Sequence, residues 1–181
     1  FNIDMPGLIT ADNRPVLKIY YPKDTEFKDL TIKCDMSDLS YEDLKADSIL
    51  LSLDSGKLEV SGISAKDIII SMDSGDCTIR DAAAENKLDV TNEIGKITLE
   101  GVTAKILKTS ANSGDVSLTG VKADNAEMSV DMGKLTGKEL DTKGLIATAD
   151  SGDINLQGSL KGTTDITCDL GSVTVSPGGS K

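Results

Sequence analysis

The chain has 181 residues, 30 acidic against 19 basic side chains, and a formal net charge of −11. That acid excess argues against nucleic acid as a partner, since a phosphate backbone needs a basic footprint. The absence of histidine removes the commonest general base and transition-metal ligand, and two Phe, three Tyr and no Trp leave little for aromatic stacking platforms.

No apolar run approaches the length of a membrane span. The chain starts at Phe1 and reads as a trimmed segment, so the absence of a signal peptide or anchor from it carries no weight. Its length fits one domain.

Residues 1–17 read as a lead-in, and residues 18–175 as stacked turns. The first turn carries Leu30, Ile32 and Cys34 on its inward side. Glycines then fall at 56, 75, 95, 114, 133, 152 and 171, with Ser37 in the place of an eighth. The step is 19 residues, except for one step of 20. A fixed period of this size is the signature of a solenoid.

Counting each glycine as position 0, position +2 holds Leu39, Leu58, Cys77, Ile97, Val116, Leu135, Ile154 and Val173. Position +4 holds Tyr41, Val60, Ile79, Leu99, Leu118, Gly137, Leu156 and Val175. The position between them is polar throughout, so each unit opens with a short, half-buried strand.

Five positions later comes a column of small residues: Ala46, Ala65, Ala84, Ala104 and Ala123. Small side chains there allow a tight corner. A second strand follows at +12, +14 and +16, as in Ile49, Leu51, Leu53 and in Ile68, Ile70, Met72. The extra residue of the 20-residue step lies between Arg80 and Leu88 and reads as a bulge. Residues 176–181 form a tail.

One such unit cannot bury its apolar stripe alone, but turns stacked about 4.8 Å apart make a continuous core. The fold expected is an all-β, single-stranded parallel β-helix, right-handed by the crossover rule. Each turn holds two long strands or three short ones. Uncapped ends expose strand edges, which predicts end-to-end self-association.

Cys77 falls in the +2 column, and Cys34 and Cys168 in the +16 column. The nearest pair is about two turns apart, beyond disulfide reach. They read as buried thiols acting as small hydrophobes.

The glycine corner carries most of the charge. Position −2 reads Asp35, Asp54, Asp73, Glu93, Asn112, Asp131, Asp150 and Asp169. Position +1 reads Asp38, Lys57, Asp76, Lys96, Asp115, Lys134, Asp153 and Ser172. From the third turn onward the repeat is a pair, Ser-Gly-Asp and then apolar-Gly-Lys. Alternating charge relieves repulsion between stacked neighbours, and Asp before Gly suits a turn.

The other reading makes Asp54, Asp73, Glu93, Asp131, Asp150 and Asp169 an acidic ridge. Such a ridge binds calcium, a cationic partner, or other copies of the chain in cation-dependent assembly.

A β-helix of the polysaccharide lyase or hydrolase type is the enzymatic alternative. Such sites need loops longer than the basic turn, and here turns differ by a single residue. Arg14 and Arg80 are the only guanidinium donors, and Ser55, Ser74, Ser113 and Ser151 have no histidine partner. No catalytic residue, cofactor or metal ligand is assigned, and the chain reads as a non-enzymatic scaffold.

The run Tyr20-Tyr21-Pro22-Lys23-Asp24-Thr25 resembles a family of bacterial adhesin-type domains, also called DUF4097. So do units such as Leu53-Asp54-Ser55-Gly56-Lys57-Leu58-Glu59-Val60 and Asn112-Ser113-Gly114-Asp115-Val116-Ser117-Leu118. The resemblance covers residues 16–175. It implies a β-solenoid ectodomain near a membrane anchor at the bacterial cell surface, in adhesion or envelope-stress sensing. It brings no catalytic residues with it. The partner it implies is a protein, peptide or cell-envelope component.

Overall fold

The computed structural model describes residues 2–5, 22 and 25–178. The expected start of the first turn near residue 18 lies outside them. After β1 (Asn2–Met5) come β2 (Glu26–Met36), β3 (Leu39–Glu42), β4 (Lys45–Ser55) and β5 (Leu58–Ser61). The alternation of long and short continues through β6 (Ser64–Ser74), β7 (Cys77–Arg80), β8 (Ala83–Ile94), β9 (Ile97–Glu100) and β10 (Thr103–Ser113). Then follow β11 (Val116–Thr119), β12 (Lys122–Met132), β13 (Leu135–Ser151), β14 (Ile154–Leu160), β15 (Thr164–Leu170) and β16 (Val173–Pro177).

Every pairing is parallel. Long strands stack in the order β2-β4-β6-β8-β10-β12-β13, short ones in the order β3-β5-β7-β9-β11-β13. The fold is therefore a parallel β-solenoid of about eight turns, with no helix among the described residues. Partners sit one turn apart: Leu58 opposite Cys77, Cys77 opposite Ile97, Ile49 opposite Ile68.

The question of two strands or three has a mixed answer. Each regular turn holds one four-residue strand and one long strand, but the long strand bends. In β4, Asp47 and Ser48 both face away from the core, between the inward Ala46 and Ile49. In the same place Lys105 has no ladder partner, between the Ala104–Ala123 and Ile106–Asn125 pairs. Three inward runs result: +2 and +4, +7 and +9, and +12 to +16.

The +7 column (Leu44, Ile63, Ala82, Val102, Val121, Leu140) is fully part of the core. The alanines at +9 line the inside of the bend, as their size allows. The extra residue expected between Arg80 and Leu88 falls at Glu85–Asn86, where the β6–β8 register slips by one.

Two corners close each turn, and they do so differently. At the first, Gly75 has φ +121° and Gly152 has φ +157°, beyond what L side chains adopt comfortably. A Cβ on Gly75 would overlap the carbonyl oxygen of Gly56 one turn below, and a Cβ on Gly152 would overlap that of Gly133. The obstacle is backbone, repeated at every step, so each turn is glycine at this corner from Gly56 to Gly171.

At the second corner, position +6, the left-handed residue is Asp43 (φ 52°), Gly62 (φ 65°), Asp81 (φ 50°), Gly101 (φ 63°), Gly120 (φ 64°) and Glu139 (φ 53°). A Cβ on Gly62 would meet Oδ1 of Asp43, and one on Gly101 would meet Oδ1 of Asp81 at 2.7 Å. Here the obstacle is a side chain leaning from one turn over the next.

The core is apolar with few exceptions. Asn92, 2% exposed, replaces an aliphatic residue at +16 and donates from Nδ2 to the Gly75 carbonyl at 2.8 Å. Cys168 occupies the same position four turns on and donates to the Gly152 carbonyl at 3.3 Å.

Candidate functional site

The glycine corner positions the charges read from the sequence. The carboxylates at +1 are built into the backbone. Asp38 Oδ1 accepts a hydrogen bond from the backbone N–H of Lys57 at 3.0 Å, Asp76 from that of Lys96 at 3.0 Å, and Asp115 from that of Lys134 at 2.9 Å. Asp153 accepts from both the backbone N–H and the hydroxyl of Ser172, at 3.0 and 2.6 Å.

Each Asp thus holds the turn above it by the residue at its own offset, and that residue is Lys or Ser, never another Asp. Any non-proline residue offers that N–H, so the bonds tie turn to turn while the choice of Lys or Ser rests on charge relief. The Ser172 hydroxyl, and then its N–H, lower the pKa of the Asp153 carboxyl from its ordinary value.

Asp54, Asp73, Glu93, Asp131, Asp150 and Asp169 lie at −2 on successive turns, all exposed, with Asn112 interrupting the column between Glu93 and Asp131. None of the six enters an ion pair with another described residue. They stand side by side along the axis and do not converge. Among the described residues no group of three or more His, Cys, Asp or Glu side chains is arranged to hold a metal ion. The arrangement is a line of fixed negative charge.

A second ladder escaped the sequence reading. At +10, on the outer edge of the bend, the chain alternates Lys28, Asp47, Lys66, Glu85, Lys105, Asp124 and Lys143. Lys66 pairs with Asp47 and Lys143 with Asp124, each at 2.7 Å. The Lys66 hydrogen bond lowers the Asp47 carboxyl and the Asp47 one raises the Lys66 ammonium. These pairs are half exposed, so each contributes little alone.

Along this edge an open groove of about 470 Å³ is floored by Phe27, Ala46 and Ala65 and railed by the Lys28–Glu85 ladder. The column was legible at constant offset, one residue beyond the alanines at +9 on which the sequence reading stopped.

Arg80, one of the two arginines considered for catalysis, pairs its Nε with Glu100 of the next turn at 2.9 Å. Arg14 lies outside the described residues. Ser55, Ser74, Ser113 and Ser151 form one column at −1. The thiols are unbridged, and Cys34 and Cys77 are buried. Burial pushes the Cys77 thiol up to about 12 and also raises Cys34, so neither is a ready nucleophile at neutral pH.

Stacked parallel turns, glycine-locked corners and columns of repeated outward side chains define a β-solenoid repeat domain. The Toastrack DUF4097 family profile matches twice, over residues 3–109 and 64–180, and the chain belongs to that family. Two overlapping matches are what a repetitive lattice produces. No curated protein and no solved structure matches the chain.

Proposed function

We propose that this domain is a non-enzymatic scaffold displayed outside the cytoplasm, which presents fixed columns of side chains to a protein, peptide or cell-envelope component, in adhesion or envelope-stress sensing. The observation that carries this reading is the uniformity of the turns. From Ser37 to Gly171 the corners differ by at most one residue, so outward groups repeat at constant spacing and no long loop walls off a cleft. A rigid periodic surface suits recognition of an extended or repetitive partner.

The test is a thermal melt across calcium, magnesium, EDTA, cationic peptides and cell-wall fragments. A ligand that binds only the folded state raises the midpoint. A rise with a peptide or an envelope fragment, without turnover of the fragment, supports the reading. Chemical breakdown of a fragment by the pure protein would replace it with the enzymatic alternative.

A further inference from the structure

Ile94 is 60% exposed and Met132 59% exposed, each directly before a corner glycine, and Leu170 holds the same place at 70%. The ladder sets them in one column with serines between: Ile94 opposite Ser113, Ser113 opposite Met132, Met132 opposite Ser151, Ser151 opposite Leu170. Ile94 and Met132 have complete turns on both sides, so their exposure is not an end effect. Alternate turns use serine at this position, so the fold does not require an aliphatic side chain there. The apolar knobs recur every second turn, roughly 9.6 Å apart. One residue before each stands a carboxylate: Glu93, Asp131 or Asp169.

We propose that this ridge docks a cationic amphipathic helix laid along the solenoid axis. The spacing selects the helix. Residues seven apart on an α-helix lie on one face about 10.5 Å apart. In an extended chain, three residues cover a similar distance but point the first and last side chains to opposite faces.

Charge complementarity selects its sign. Between Glu93 and Ser172 the corner carries six carboxylates, at 93, 115, 131, 150, 153 and 169, against Lys96 and Lys134. Apolar groups at heptad spacing meet the knobs, and Lys or Arg beside them meets the carboxylates. The inference rests on the reading of the domain as a binding scaffold and names the chemistry of one partner.

The experiment uses substitutions that the chain already makes elsewhere in the same columns, so the lattice is kept. The probe is a fluorescent peptide of about 18 residues with Leu at heptad spacing and Lys on both flanks. It is titrated by anisotropy against the wild type, against Ile94→Ser/Met132→Ser/Leu170→Ser, and against Asp131→Asn/Asp150→Asn/Asp169→Asn.

The expected result is saturable binding by the wild type with gain of peptide helicity. The serine variant should lose about tenfold or more in affinity at an unchanged melting temperature. The asparagine variant should lose affinity mainly at low salt. Equal binding by the serine variant would leave only diffuse charge attraction and overturn the proposal. So would a wild type that ignores the peptide, or one that self-associates through the same knobs instead. A protein that fails here but melts higher with an envelope fragment loses this docking site and keeps its scaffold role.

Discussion

The two left-handed corners of each turn solve the same problem with different materials. At the glycine corner the space beside each Cα is filled by a backbone carbonyl from the turn below, and the sequence has no choice. At the second corner it is filled, above Asp43 and Asp81, by a carboxylate that excludes a Cβ from the next turn, whereas beside Gly120 a Cβ would make only ordinary contacts with Gly101. A backbone obstacle demands glycine at every turn; a side-chain obstacle demands it only above an Asp. Mutations that set rigid against movable obstacles should separate them.

The largest effect is expected at Gly75→Ala, where an unsuitable φ and an immovable carbonyl act together. The loss should be roughly 3–5 kcal/mol by urea denaturation, or an unfolded product. A loss under about 1 kcal/mol would mean that the carbonyl ladder yields, against this account.

Gly101→Ala should cost less, about 1–2 kcal/mol for the left-handed backbone, with the Asp81 carboxylate turning aside. Adding Asp81→Gly should recover part of that loss, so the double variant is less destabilised than the two single changes summed. Strict additivity would show that the carboxylate is no obstacle.

Glu139 sits at the same corner with φ 53° and is a poorer left-handed residue than Asp or Gly. Glu139→Gly should stabilise by about 0.5–1 kcal/mol, the one substitution here expected to raise the melting temperature.

The smallest effect is in pH. Asp153, Asp47 and Asp141 have carboxyls held below their ordinary value, by Ser172, Lys66 and Lys161 respectively. A group whose folded pKa is depressed contributes stability that is present above its unfolded pKa and is lost as pH falls through the folded one. Stability should therefore decline below about pH 4. Asp153→Asn should flatten that decline slightly, and an unchanged acid limb would remove Asp153 from the explanation.

Much of this was legible because the governing contacts repeat. The glycine spacing, the inward columns at +2, +4 and +12 to +16, and the extra residue near Asn86 all follow from counting. The inward run at +7 and +9 was read only in part. Leu44, Ile63 and Val102 follow directly on left-handed residues, and a left-handed Asp43 or Asp81 looks, in sequence, like any surface acid.

The acids at +1 were visible, and their alternation was read as relief of repulsion. Their hydrogen bonds to N–H groups 19 or 20 residues later were not visible, because a sequence does not show which way a carboxylate leans. The acids at −2 stand exposed, one to a turn, and their apolar neighbours Ile94, Met132 and Leu170 at −1 share that exposure, which sequence pattern alone does not reveal.

The carboxylate at +1 also sets a rule for growth. Because Asp alternates with Lys or Ser turn by turn at +1, and each such Asp is bonded to the turn that follows, the lattice behaves like a crystal with a doubled unit cell. Excising Asp115–Gly152 would rejoin Gly114 to Asp153 with the phase intact. Excising only Asp115–Gly133 would set Lys134 above Lys96 and remove the Asp115 cap. Domains of this type should lengthen and shorten in evolution, or at an engineer's hand, by doublets of turns.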